Sequence, residues 1–199
     1  MQEDQTLFVC GGTIIDEETI LSAAHCFYDE TGKHKHKSSY VKVEVGFFVH
    51  INKTHPRKLQ VRKYYTHPKY NPLTHDNDIA ILKLKRPLNF INKAKIGPAS
   101  LPYASFTPEE SDQMGLLSGF GRTRIGEAFV NKHLMHVTLP FVTNGYCQQK
   151  YDEIETSRKI ITSRMLCAGY TGKNSCPGDS GFYLRPSMLL PAHHRKANS

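Results

Sequence analysis

Between turn signals the chain is written in short runs where apolar and polar positions alternate, the two-residue period of a strand with one buried face. Val41-Lys42-Val43-Glu44-Val45 is the cleanest case, with three valines on one face and two charges on the other. Residues 78–84 and 134–139 predict further strands of the same kind, bounded by turn-forming residues. Residues 143–151 predict one short helix, opened by Thr143, whose hydroxyl can accept from an orphan backbone N–H. The stretch 96–110, rich in proline, serine and acidic residues, predicts a link between two β units. Nothing repeats internally, and no apolar run approaches the roughly 20 residues that a membrane-spanning helix needs. The pattern is all-β.

Chemistry enters with Asn174-Ser175-Cys176-Pro177-Gly178-Asp179-Ser180-Gly181-Phe182. A serine hydroxyl is a weak nucleophile near neutral pH and acts only beside a base that a third group orients. Candidates for both lie upstream. His25, one of 11 histidines, sits in Leu21-Ser22-Ala23-Ala24-His25-Cys26, where small residues predict a tightly packed turn. Asp76-Asn77-Asp78-Ile79-Ala80-Ile81-Leu82 places two carboxylates at the entrance of an apolar strand, so Asp76 and Asp78 compete for the orienting role.

These motifs, in the order His, Asp, Ser, resemble those of the trypsin/chymotrypsin-type serine endopeptidases. Cys10-Gly11-Gly12-Thr13-Ile14-Ile15 and Leu117-Ser118-Gly119-Phe120-Gly121-Arg122 are similar to the coagulation-factor-like branch of that family. The resemblance runs from about residue 7 to 184. It implies two antiparallel six-stranded β-barrels of the trypsin-like type. Residues 1–95 would form the first barrel, carrying His25 and Asp78; 96–110 would be the linker; 111–184 would form the second barrel, carrying Ser180; and 185–199 would be a basic tail unlike the family.

The resemblance also implies roles. Ser180 is the nucleophile, His25 the general base and acid, and Asp78 the orienter, favoured over Asp76 by the match to Asp-Ile-Ala-Ile-Leu. The backbone N–H groups of Gly178 and Ser180 form the oxyanion hole, and Asp179 receives the amine that activates the enzyme. Asn174 and Ser175 belong to the primary substrate pocket, where relatives that cleave after Arg and Lys carry an aspartate in place of Asn174. Five cysteines occur. The resemblance pairs Cys10 with Cys26 and Cys147 with Cys167, leaves Cys176 over, and implies an oxidising, extracellular compartment.

Departures from the family narrow the expectation. The first strand with its N-terminal activation sequence, and the C-terminal strands and helix, are missing from the pattern, and Gly181-Phe182-Tyr183 replaces the usual Gly-Gly-Pro. The chain as given is therefore expected to hydrolyse peptides barely or not at all. Met1-Gln2-Glu3-Asp4-Gln5 is polar and does not read as a signal peptide. Ser100 stands where two-chain relatives have a cysteine, which argues against a tethered light chain. Residues 47–57 carry no carboxylate, so no calcium site is implied, while Asn52-Lys53-Thr54 is a glycosylation sequon.

Charge and composition add little more. With 39% hydrophobic and 22% charged residues the chain reads as globular, and a net charge of +8 favours acidic surfaces. Lys33-His34-Lys35-His36-Lys37 and His193-His194-Arg195-Lys196 read first as a solvated loop and a solvated tail. Aromatic interleaving of the kind that nucleic-acid binding uses is lacking. The expected partners are thus protein or peptide substrates, with acidic glycans or protease inhibitors as further candidates, and no nucleic acid or membrane span. No cofactor or metal is expected. The competing class is a catalytically silent protease homologue that only binds partners; a histidine-rich metal binder is the weakest of the three.

Overall fold

A computed structural model of the chain describes residues 10–29, 31–33, 37–46, 57–90, 96–102, 114–121, 133–153, 160–169 and 184–187. In chain order its strands are β1 (Thr13–Ile14), β2 (Thr19–Ser22), β3 (Lys42–Val45), β4 (Arg57–Thr66), β5 (Ala80–Leu84), β6 (Met114–Gly119) and β7 (Met135–Val142). The helix α1 (Asn144–Asp152) follows, then β8 (Cys167–Ala168) and β9 (Leu184–Ser187). Two short 3-10 turns, Ala24–Phe27 and Ser38–Tyr40, complete the elements.

The strands form two antiparallel sheets. One has five strands in the order β1-β2-β5-β4-β3, the other four in the order β8-β7-β6-β9. Each therefore shows fewer than six strands among the described residues. The first sheet is made from a sequence device: β4 is long enough to pair twice, its first half with β3 and its second with β5. A register shift between Val61 and Lys63 falls within the half that pairs with β5, the kind of bulge that bends a strand and lets one sheet curl.

Period-two alternation places the core. In β5, Ala80, Leu82 and Leu84 are buried while Ile81 is exposed. Leu84 and Val61 are fully buried, and Ile20, Phe27, Val45 and Leu88 close around them. Phe27 stacks on Tyr64 with ring centroids 4.4 Å apart. The second sheet has the same logic. Gly115, Leu117 and Gly119 of β6 are buried, and Gly115 lies opposite the buried Leu139 of β7, a small residue making room for a large one. One glycine is dictated by close packing: a Cβ on Gly12 would sit 2.7 Å from Ile20 Cγ2 and 3.3 Å from the Leu21 carbonyl oxygen.

Several expectations shift by a few residues. The strand expected over 78–84 begins at Ala80, because Asn77 has φ +56° and the Ile79 N–H closes a tight turn on the Asn77 carbonyl at 2.8 Å. The strand expected over 134–139 runs on to Val142, with Pro140 inside it opposite Met114. The helix expected over 143–151 is α1, and Thr143 caps it by accepting from the Tyr146 N–H at 3.2 Å. Burial does not hold α1 in place, since none of its residues is buried. It is fastened by the Cys147–Cys167 disulfide, and by Asn144 Nδ2, which donates to the carbonyls of Thr162 at 3.0 Å and Met165 at 3.1 Å.

Residues 96–102 of the expected linker carry neither helix nor strand. Residues 103–110, the sequon at Asn52, most of the loop 47–57 and the tail after residue 187 lie outside the described residues. So do His34, Lys35 and His36 of the first basic cluster. No helix among the described residues is long and apolar enough to cross a membrane.

Candidate active site

His25 lies in the turn Ala24–Phe27, and its neighbours explain where it points. Ala24, Cys26 and Phe27 are all buried, so a single tight turn faces three side chains inward and leaves His25, 35% exposed, at the surface. The Cys10–Cys26 disulfide ties this turn to the strand entry at Cys10 across 16 residues of chain. Closing a loop of that size removes freedom from the unfolded chain worth roughly 3 kcal/mol. Ser22 Oγ adds a bond to the Gly11 carbonyl at 2.9 Å.

Asp78 arrives from the other side, two residues before β5. Its Oδ1 accepts from the His25 backbone N–H at 2.8 Å, and its Oδ2 meets His25 Nδ1 at 2.7 Å. Burial pushes the Asp78 carboxyl up, but bonds from the His25 ring and backbone, with the charges of His25 and His75, outweigh it and hold the group below the ordinary aspartate range. An ionised carboxylate can only accept, so Nδ1 donates to it, and in the neutral ring that leaves the lone pair on Nε2. That is the tautomer a general base needs.

The surroundings are aromatic and partly dry. The His75 ring lies 5.8 Å from that of His25, tilted by 58°. Tyr70 packs against Tyr28 at 5.0 Å, and burial, followed by the Asp78 and Tyr28 charges, pushes its phenol up to about 12. Tyr28 in turn shares a hydrogen bond of 3.0 Å with Thr66 Oγ1. Donor atoms of Cys10, His25 and Cys26 fall within 4.8 Å of one another. Since the two sulfurs are joined in a disulfide, they offer no thiolates, and the trio is not a metal centre.

Asp76, the competing carboxylate, has a separate task. It turns away from His25 and binds Thr162 and Arg164, which precede β8. Thr162 Oγ1 donates to Asp76 Oδ1 at 2.8 Å and Arg164 Nε to the same oxygen at 3.0 Å, while Arg164 Nη2 pairs with Oδ2. Nothing in the sequence pattern singles out Thr162 or Arg164: each is one polar residue in the short run Thr162-Ser163-Arg164 between apolar pairs. His75 directly precedes Asp76 but belongs to none of the motifs that mark the site. The remaining expected site residues, Asn174, Ser175, Gly178, Asp179 and Ser180, lie outside the described residues, as does Cys176. The two expected disulfides, Cys10–Cys26 and Cys147–Cys167, are both present.

Comparison with known proteins points one way. The family model described as Trypsin matches residues 2–181. A curated trypsin from Phaedon cochleariae is 35% identical over 175 residues, covering 86% of this chain, and the chain spans 62% of that relative's length. Among solved structures, the scabies mite inactivated protease paralogue S-D1 superposes with a TM-score of 0.75 at 25% identity, over 88% of this chain and 70% of the other. Mouse neuropsin, a serine protease expressed in the limbic system of the brain, gives 0.72 at 26% identity, over 92% and 74%. Mostly β, with one short helix and curled antiparallel sheets that match trypsin-like barrels, this chain belongs to the trypsin family.

Proposed function

We propose that the chain is a serine endopeptidase that cleaves peptide bonds through an acyl-enzyme, with Ser180 as nucleophile, His25 as base and Asp78 as orienter. The observation that carries the reading is the double grip of Asp78 on His25, at 2.8 Å to the backbone N–H and 2.7 Å to Nδ1. A carboxylate that merely solvated a turn would not hold both the main chain and the ring of one histidine.

In this mechanism His25 Nε2 takes the Ser180 hydroxyl proton as Oγ attacks the scissile carbonyl. The resulting imidazolium is stabilised by Asp78, which stays ionised, and its proton then passes to the leaving amine. The backbone N–H groups of Gly178 and Ser180 receive the oxyanion, each donor worth about 3 kcal/mol of transition-state stabilisation. Water repeats the sequence to release the acid. Asp179 is the partner of the activating amine. Asn174 and Ser175 line the primary pocket, and a neutral Asn174 leaves a substrate cation without a counter-charge, so cleavage is not restricted to Arg and Lys. Protein or peptide substrates, an extracellular setting and two disulfides belong together in this reading. The coagulation-factor-like branch is supported by the Cys10–Ile15 and Leu117–Arg122 motifs alone.

One observation favours a second reading, a silent homologue: the solved structure with TM-score 0.75 is that of an inactivated protease paralogue. Active-site labelling separates the two. With a fluorophosphonate probe, on the chain extended at both ends by the family's remaining segments, the enzyme reading expects covalent labelling that disappears in Ser180→Ala; label retained in the alanine variant, or none in either protein, overturns it.

A further inference from the structure

We propose that Asp76, with Arg164 and Thr162, forms a latch between the two sheets that positions the Asp78–His25 pair; the proposal rests on the reading of that pair as catalytic. Asp76 is a positioning residue, acting through Asp78 and not on substrate.

The geometry builds from both ends. On the first-sheet side, Asp76 lies between two residues in the left-handed region, His75 at φ +57° and Asn77 at φ +56°, neither of them glycine. Left-handed backbone is uncommon for residues with a Cβ and persists where surrounding bonds enforce it. The segment returns on itself through Asn71 N–H to the Asp76 carbonyl at 3.0 Å and His75 N–H to the Asn71 carbonyl at 2.8 Å. On the second-sheet side the receiving residues are themselves held. The Ile161 N–H bonds Gln148 Oε1 of α1 at 2.8 Å, Asn144 of α1 binds the Thr162 and Met165 carbonyls, and the Cys147–Cys167 disulfide closes the segment. A chain of fixed contacts thus runs from α1 through Thr162 and Arg164 to Asp76.

Two peptide units separate Asp76 from Asp78, a reach of at most about 7 Å. Fixing the Asp76 carboxylate therefore restricts where Asp78, and with it the His25 ring, can stand relative to the second sheet. The sequence places Ser180 in the chain that follows that sheet's β8. Stability is not the main product of the latch. The Arg164 side chain is 55% exposed, and exposed ion pairs contribute little to folding. What the paired arginine and the threonine supply is direction: three donors converge on one carboxylate that is only 16% exposed.

The test compares the parent with Asp76→Ala, Arg164→Ala, Thr162→Val, Arg164→Lys and the Asp76→Ala/Arg164→Ala double variant, by amide hydrogen exchange in the 199-residue chain and by peptide-substrate kinetics in the chain extended at both ends by the family's remaining segments. Cutting the latch is expected to lower kcat on the order of tenfold to a hundredfold, with KM nearly unchanged, because the reacting groups are displaced but the pocket is not. The His25, Asn71 and His75 amides should exchange faster, while those of Leu82 and Leu84 in β5 keep their protection. The double variant should be no worse than the poorer single variant, and Arg164→Lys should recover part of the loss. Unchanged protection at His25 in Asp76→Ala overturns the latch. So does an equal loss of protection in β5, which would make the contact a general stabiliser. If turnover that Ser180→Ala abolishes is never seen, the proposed function falls, and the exchange measurements still decide the latch.

Discussion

Asp78 holds His25 by two atoms at once, the main-chain N–H at 2.8 Å and the ring Nδ1 at 2.7 Å, so the position and the tautomer of the imidazole are set by one side chain. Asp78→Asn should keep the fold and lose the chemistry. The amide would donate to Nδ1 where the carboxylate accepts, moving the ring proton to Nε2 and removing the lone pair that takes the serine proton. Turnover is expected to fall by about ten-thousandfold, read by steady-state kinetics. A loss of less than about tenfold would remove Asp78 from the mechanism.

Acid stability follows from two lowered carboxyls. Asp78 stays low because the His25 bonds outweigh burial, and Asp76 because Arg164 and then Thr162 bond to it. In the window below the ordinary aspartate value of about 3.9, the unfolded chain binds protons that the folded chain still refuses. The stabilisation is therefore present above that value and disappears as pH falls through the folded values. Urea midpoints measured against pH should drop on this acid limb, and the drop should be shallower in Asp76→Asn.

At the alkaline end Tyr70 acts in the opposite sense. Its phenol is pushed up to about 12, so the folded chain keeps a proton that the unfolded chain releases near pH 10. The stability this supplies is full below about 10 and is lost as pH rises through the folded value. Burial pushes the Tyr64 phenol up as well, so ultraviolet difference titration should show a late-ionising tyrosine component that is reduced, not abolished, in Tyr70→Phe.

Two neighbours in β5 should respond differently to the same substitution. Leu84 is 1% exposed and packed in the core with Val61, so Leu84→Ala should cost about 2–5 kcal/mol in chemical denaturation. Ile81, on the outer face and 38% exposed, should lose far less, about 1 kcal/mol or below. Equal losses would contradict the strand's facing.

Peptide mapping without reduction should recover Cys10 joined to Cys26 and Cys147 joined to Cys167, with Cys176 open to alkylation. Removing the first bridge as Cys10→Ser/Cys26→Ser should cost roughly 3 kcal/mol, measured by thermal unfolding. Recovery of Cys176 bridged to any of the other four would contradict the pairing.

Much of this protein could be read from the order of its residues. Alternation in 41–45 and 78–84 marks strands because a strand shows successive side chains to opposite faces, and that period survives in one dimension. Thr143 announces its helix because a cap acts only on its own next turn. His25 and Asp78 were legible because each lies in a local motif, and the small residues behind His25 are the ones that the buried turn requires. Asp76 was different. Beside Asp78 it was a plausible rival, and only its partners 86 and 88 residues away, Thr162 and Arg164, show that it faces the other sheet. The double pairing of β4, the approach of His75 to His25 and the burial of Tyr70 likewise depend on contacts between distant segments. Those contacts are fixed when the sheets curl and pack, and a linear pattern of polarity carries no record of which polar residue will meet which across that fold.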